Sequence, residues 1–262
     1  MTGPGAVPDF SVPNPARMYD YFLGGKDHFP ADREAAGKVI AAYPETRALA
    51  RANRRFLTRA VWFLAERGIG QYIDLGAGLP TSPNVHEVAR QARPDARVVY
   101  IDNDPVVTSH GRALCATDEG VTVIDGDIRD PRSILADPEL TAVIDFTEPV
   151  AILCVAVLHF LREEEQPREI VAALRGQLAP GSYLAISHAA IDGADQQVLS
   201  EISRAYQDAT APAVPRTEAQ IRQLFTGLDL AHPGLVDVSQ WRPHVRARPT
   251  KIRILAGVGR KP

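Results

Sequence analysis

Three acidic residues stand where apolar runs that read as successive strands come to their ends. They are Asp74 in Tyr72-Ile73-Asp74-Leu75-Gly76-Ala77-Gly78, Asp102 in Val99-Tyr100-Ile101-Asp102, and Asp127 after Val123-Ile124-Asp125-Gly126. In a doubly wound sheet the ligand lies at the carboxyl ends of the strands, so these positions are the first to inspect. Gly76 and Gly78 let the backbone turn tightly and approach a ligand closely. A dinucleotide fingerprint wants a third glycine three places after the second, beside a pyrophosphate. Thr81 stands there instead. A carboxylate in the place of Asp74 repels phosphate and can hold an ammonium group, directly or through water. Asp102 lies 24 residues beyond Gly78, near the spacing at which an acid accepts bonds from ribose hydroxyls. Asp127 could accept from an exocyclic adenine amine. The set suits a zwitterionic nucleoside better than a pyrophosphate. Helix capping and turn formation account for any one of Asp102, Asp104 and Asp127, but not for all three together with the glycine pair.

The elements that must position these residues alternate. Strand-like runs cover 71–75, 97–101, 121–124, 150–157 and 183–188, with two late ones near 235–238 and 252–258. Helix candidates lie between them at 84–91, 105–117, 131–136, 162–177, 195–210 and 217–225. That alternation predicts an α/β fold with a mostly parallel sheet covered on both faces. Before it, 15–23, 31–42 and 44–67 carry helical patterns, with Gly24-Gly25 and Gly68 as stops. We therefore expect a poorly ordered Pro/Gly-rich tail over 1–14, an N-terminal helical extension over 15–69, and one ligand-binding domain over 70–262.

The chain has 262 residues, 45% of them hydrophobic, and a net charge of −3. It lacks the basic footprint that phosphate neutralisation requires, so nucleic acid is not an expected partner. No apolar stretch reaches the roughly 18 to 20 residues of a membrane span. The N-terminus has neither the basic nor the apolar part of a secretory signal, so a cytoplasmic location is expected. Cys115 and Cys154 read as buried small hydrophobes, and no metal cluster is expected.

The sequence resembles the class I S-adenosylmethionine-dependent methyltransferases from Gln71 onward. IDLGAG looks like their first motif, YIDNDP like their ribose-binding acidic loop, GDIRD like their adenine loop, and LRGQLAPGSYLAIS like their later helix-turn-strand. More closely, PARMYDYFLGGKDHFPADR, LGAGLPTSPNVHEVA and VSQWRP are similar to a bacterial family of uncharacterised S-adenosyl methyltransferases. The resemblance implies a Rossmann-like methyltransferase fold with a seven-stranded, mostly parallel sheet whose last strand, near 252–258, is antiparallel. It implies S-adenosylmethionine as cofactor, S-adenosylhomocysteine as product, and no metal. Gly76, Ala77 and Gly78 would line the methionine part through backbone groups. Asp102 would bind the ribose and Asn103 would lie against the adenine. Asp127 and Ile128 would contact the adenine edge, and Ala156 would offer a carbonyl to the amino group.

Displacement at a sulfonium methyl gains much of its acceleration from alignment, and a base is needed only if the acceptor must lose a proton. His159 in Leu158-His159-Phe160 is the candidate base; the alternative is a packed histidine that orients its loop or touches the ligand carboxylate. Tyr21 and Lys26, around Gly24-Gly25, suggest a lid over the ligand, with helix-to-core packing of the aromatics as the other reading. The segment 192–215 is expected to face the acceptor. The fourth strand lacks the N/D-P-P-Y/F signature of nucleic-acid base methylation, so a small-molecule oxygen or nitrogen acceptor is expected. The alternative is a non-catalytic S-adenosylmethionine or S-adenosylhomocysteine binder, and Thr81 and Asp74 argue against a nicotinamide oxidoreductase.

Overall fold

The computed structural model describes residues 9–117, 119–243 and 250–262. Residues 1–8 of the expected tail lie outside the described residues. Residues 9–14 are placed, and the buried Asn14 caps the first helix by accepting from the Ala16 and Arg17 amides.

Five strands run parallel: β1 (Gln71–Leu75), β2 (Arg97–Asp102), β3 (Val121–Asp125), β4 (Ala151–Val155) and β5 (Tyr183–Ala190). Their order is β3-β2-β1-β4-β5, which puts the topological switch between β1 and β4. The last strand, β8 (Arg253–Arg260), pairs antiparallel with β5 over its whole length. Beyond it lie two short pieces, β6 (Asp229–Leu230) and β7 (Val236–Asp237), which pair with the two ends of β8. They occupy one edge position, broken by the turn in which the Gly234 amide donates to the Ala231 carbonyl. The expected seven-stranded sheet is therefore present, with its edge strand in two parts that raise the count to eight.

Alternation along each strand divides the core into two. Tyr72, Val98, Tyr100, Val123, Leu153 and Ala185 face one way. There they meet Phe56, Ala60, Val61 and Leu64 of α3 (Thr46–Ala65) and Val85, Val88 and Ala89 of α4 (Val85–Ala92). Ile73, Leu75, Val99, Ile101, Ile152 and Cys154 face the other way, against α6 (Pro131–Leu135), α7 (Pro138–Val143), α8 (Pro167–Gln177) and α10 (Glu218–Gln223). Strands buried on both faces read as unbroken apolar runs, as these do. Each fully buried Leu, Ile or Phe contributes about 1.5–3 kcal/mol. A third, smaller core joins α1 (Pro15–Leu23) and α2 (Pro30–Ala42) to α9 (Gln196–Ala205) through Met18, Phe22, Ala36, Val39, Ala205 and Tyr206. The extension is thus a packed layer of the molecule. No helix of the described residues is long and apolar enough to cross a membrane.

Candidate functional site

The loop after β1 is shaped by β2. The Gly76 and Ala77 amides donate to the Ile101 carbonyl at 2.8 and 3.2 Å, and the Gly78 amide donates to Asp102 Oδ2 at 2.9 Å. Asp102 Oδ1 accepts from the Asp104 amide at 3.0 Å, so this carboxylate braces two loops at once. Both glycines are left-handed, at φ 68° for Gly76 and 66° for Gly78. A Cβ on Gly76 would fall 2.4 Å from Val157 Cγ2, whereas a Cβ on Gly78 would meet nothing within 4 Å. Gly76 is therefore required by packing against the end of β4, and Gly78 faces open space.

The three residues expected to line a ligand through backbone groups thus have their amides bonded within the protein, which leaves their carbonyls and Cα atoms for that role. At the start of α4 the Asn84 and Glu87 amides are taken by a capping box, and the His86 amide donates to Tyr100 Oη at 3.0 Å. A pyrophosphate needs free amides at such a turn and helix end.

Two buried carboxyls lie beside the glycine pair. Burial pushes Asp74 up to about 7; the Arg54 charge draws it down and the Asp102 charge adds to the rise. Burial likewise lifts Asp102 to about 6, against the backbone donors Asp104 and Gly78. Desolvated acids of this kind gain most from a ligand that brings a cation or hydroxyl donors. Arg54, Asp74, Gly78, Leu79, Tyr100 and Asp102 line one narrow cavity. Arg54 went unnoticed in the sequence because it comes from α3, outside the expected ligand domain. Its Nη2 donates to the Pro83 carbonyl at 2.7 Å and to the Thr81 carbonyl. Its buried Nε has no hydrogen-bond partner among the described residues.

The third loop is more exposed. Asp127 is clamped by Arg129, whose Nε lies 2.8 and 2.9 Å from its two oxygens. Burial works to raise this carboxyl, and the Arg129 bonds and charge outweigh it, leaving it below its ordinary value. Asn103 is exposed and its Nδ2 lies 3.5 Å from Asp127 Oδ2, so the expected adenine neighbours are together. Ile128 is buried next to them. Asp104, by contrast, caps α5 (Pro105–Leu114) by accepting from the Val106 amide at 2.7 Å.

At the end of β4, Ala156 adopts a left-handed φ of 59°, an uncommon conformation for a residue with a Cβ. His159 follows in a short 3-10 turn, Leu158–Phe160, and is buried. Its Nδ1 accepts from the Ala189 amide at 3.4 Å. Burial pushes its imidazole well below the ordinary range, and His188 and Arg216 push in the same direction. The buried Arg216 holds this turn by donating to the Leu158 and Leu161 carbonyls at 3.1 and 2.9 Å and to His188 Nε2 at 3.0 Å. A neutral ring whose Nδ1 is occupied is poorly suited to take a proton near neutral pH.

The N-terminal segment meets the second loop and the helix after it through Arg17 and Asp27. Arg17, buried in α1, lies 3.4 Å from Asp32 and 3.7 Å from Asp104. Asp27 lies 3.8 Å from His110 of α5. Lys26 is exposed, and Tyr21 is half-buried, with its ring against His28 and under Arg47. The 192–215 segment closes onto the same layer, where the Thr210 amide donates to the Pro13 carbonyl at 2.9 Å.

A model of a family described as S-adenosyl methyltransferase matches residues 4–262. A crystal structure from Thermobifida fusca YX, provisionally named a methyltransferase, is 41% identical over 100% of this chain and 99% of its own, with a TM-score of 0.91. A DUF574 family protein from Streptomyces avermitilis MA-4680 is 41% identical over 97% of this chain and 99% of its own, with a TM-score of 0.92. Human N-acetylserotonin methyltransferase in complex with S-adenosylmethionine shares the fold at 13% identity, with a TM-score of 0.50 over 95% of this chain and 63% of that one. No curated protein matches. On the strength of a match that spans nearly its whole length, the chain belongs to the Methyltransf_19 family of S-adenosyl methyltransferases.

Proposed function

We propose that this chain transfers the methyl group of S-adenosylmethionine to an oxygen or nitrogen atom of a small-molecule acceptor, releasing S-adenosylhomocysteine. The observation that carries the donor half is the spent first loop beside two desolvated carboxyls. Such a site has the three amides of its glycine turn bonded within the protein and two acids that seek an ammonium or hydroxyl partner. The residues fit the donor. Gly78 leaves the space, Asp102 takes the ribose hydroxyls, and Asp74 balances the ammonium with Arg54 as its counter-charge. Asn103, Asp127 and Ile128 border the adenine, and Ala156 receives the amino group. Bound there, S-adenosylmethionine supplies an electrophilic methyl.

The chain's own contribution is alignment, which is worth several kcal/mol when donor and nucleophile are held in line (about 7–11 at the limit). The layer of α1, α2 and α9 limits water at the carboxyl edge of the sheet. His159 packs against Phe160, with ring centroids 4.5 Å apart, and its bonded Nδ1 suits it to orienting the β4 turn better than to accepting a proton. A small acceptor is favoured by the net charge of −3 and by the lack of a base-methylation signature after β4.

A second reading, a binder of S-adenosylmethionine or S-adenosylhomocysteine without turnover, has one observation in its favour: the histidine at the expected place is buried, neutral and already bonded. Transfer of a labelled methyl group into a metabolite extract separates the two. Label in a small-molecule fraction supports the enzyme; tight donor binding with no labelled product supports the binder.

A further inference from the structure

A continuous hydrogen-bond chain runs from the N-terminal helix to the strained end of β4. The Ala156 amide donates to Ser187 Oγ at 2.9 Å, and also to the Ser187 carbonyl at 3.2 Å. Ser187 Oγ donates to Asn53 Oδ1 at 2.6 Å. Asn53 Nδ2 donates to Tyr19 Oη at 3.0 Å, and Tyr19 Oη donates to the Ala50 carbonyl at 2.9 Å. Every donor and acceptor is used in one consistent direction, and Ser187 and Asn53 are both fully enclosed. Burial raises the Tyr19 phenol, so it stays protonated and able to donate.

The end of this chain is the one residue of the β4 loop whose conformation needs support. An alanine at φ 59° persists only where its surroundings over-determine it. Val155 pairs with Ser187 as the last rung of the β4–β5 ladder, and Ala156 is where the backbone leaves that ladder. The Ser187 hydroxyl fixes the amide of the departing residue, which sets the direction of the peptide that follows.

We propose that Ser187, Asn53 and Tyr19 are positioning residues that hold Ala156 in its left-handed conformation, so that its carbonyl meets the amino group of the donor. Through Tyr19 the N-terminal helix takes part in donor binding without touching the donor. The inference rests on the reading of Ala156 as the acceptor of that amino group.

The test uses calorimetric titration of the full chain with two probes, S-adenosylhomocysteine and 5′-methylthioadenosine, which lacks the amino-acid part. Ser187→Ala should weaken S-adenosylhomocysteine binding about tenfold, the effect of a misplaced bond to a charged group, and leave 5′-methylthioadenosine binding unchanged. Adding Ala156→Gly to Ser187→Ala should restore most of the loss, because glycine adopts a positive φ without steric cost. Should Ser187→Ala fail to fold, Tyr19→Phe removes one hydroxyl from the far end of the chain and should give a smaller loss confined to the same probe. Equal weakening of both probes, an unchanged affinity for both, or no restoration by Ala156→Gly would overturn the relay. If the unaltered chain bound neither probe, the donor reading itself would fall, and the relay with it.

Discussion

The Gly78 amide donates to Asp102 Oδ2 at 2.9 Å, and through that bond the first loop of the sheet is tied to the acid at the end of the second strand. The carboxylate that would hold the ribose is thus the same group that shapes the cradle for the methionine part. With Gly76 and Ala77 bonded to the Ile101 carbonyl, the three amides of the glycine turn are taken, and the turn presents Cα surface beside two carboxyls in place of an anion nest.

The two glycines should respond differently to alanine. Gly76→Ala meets Val157 at 2.4 Å as well as an unfavourable φ, and should cost about 2–4 kcal/mol of stability. Trimming the neighbour with Val157→Ala should recover part of it. Gly78→Ala meets only the φ penalty, about 1–2 kcal/mol, and should keep its fold while losing donor affinity. Thermal melts combined with binding titrations distinguish the two.

Donor binding should strengthen as pH rises. Asp74 and Asp102 stand near 7 and 6, above their ordinary value of 3.8. Between about pH 4 and 7 the ligand-free protein therefore holds protons that the unfolded chain has released, and these groups make its stability fall as pH rises through that window. A ligand that needs the ionised carboxylates displaces those protons. Its affinity should climb by up to about a hundredfold per unit below about pH 6, where both acids must lose a proton, by up to about tenfold per unit between about 6 and 7, and level off above about 7. Titrations at pH 6 in buffers of different ionisation heat should show proton release.

Arg54 draws Asp74 downward, so Arg54→Met should lift Asp74 further. The pH at which donor affinity levels off should then move to the alkaline side, and a profile of S-adenosylhomocysteine affinity against pH checks it. An unchanged profile would separate Arg54 from the site.

Arg17→Met should destabilise the whole chain. It would leave Asp32 and Asp104 buried without their shared cation, which for a broken buried pair costs about 3–5 kcal/mol. Chemical denaturation followed by tryptophan emission is a direct readout, since Trp241 is enclosed by Phe56 and Phe63.

Much of this architecture is legible in the chain because its signals are local. Apolar runs mark the buried strands, and Asn14, Asp104 and Asp130, each followed by proline, mark helix starts. The same signature at Asp137-Pro138 begins α7, a helix absent from the candidates read along the chain. The edge strand is obscured because the turn at Ala231–Gly234 cuts it into two-residue pieces. Asp74, Asp102 and the glycine pair could be read from spacing. Arg54, Asn53 and Ser187 could not, since they reach the site from α3 and β5, and only the packing of those elements brings them to the loops. Lys26, singled out by its neighbours in sequence, lies exposed.

The central claim is a donor site built on Asp102, and the most direct test is calorimetric titration of the full chain and its Asp102→Ala variant with S-adenosylhomocysteine, with NAD as comparison. The predicted result is saturable binding of S-adenosylhomocysteine, a loss of about tenfold to a hundredfold in Asp102→Ala from a bond worth roughly 1.5–3 kcal/mol, and no binding of NAD. Binding of NAD, or S-adenosylhomocysteine affinity that Asp102→Ala leaves unchanged, would contradict it.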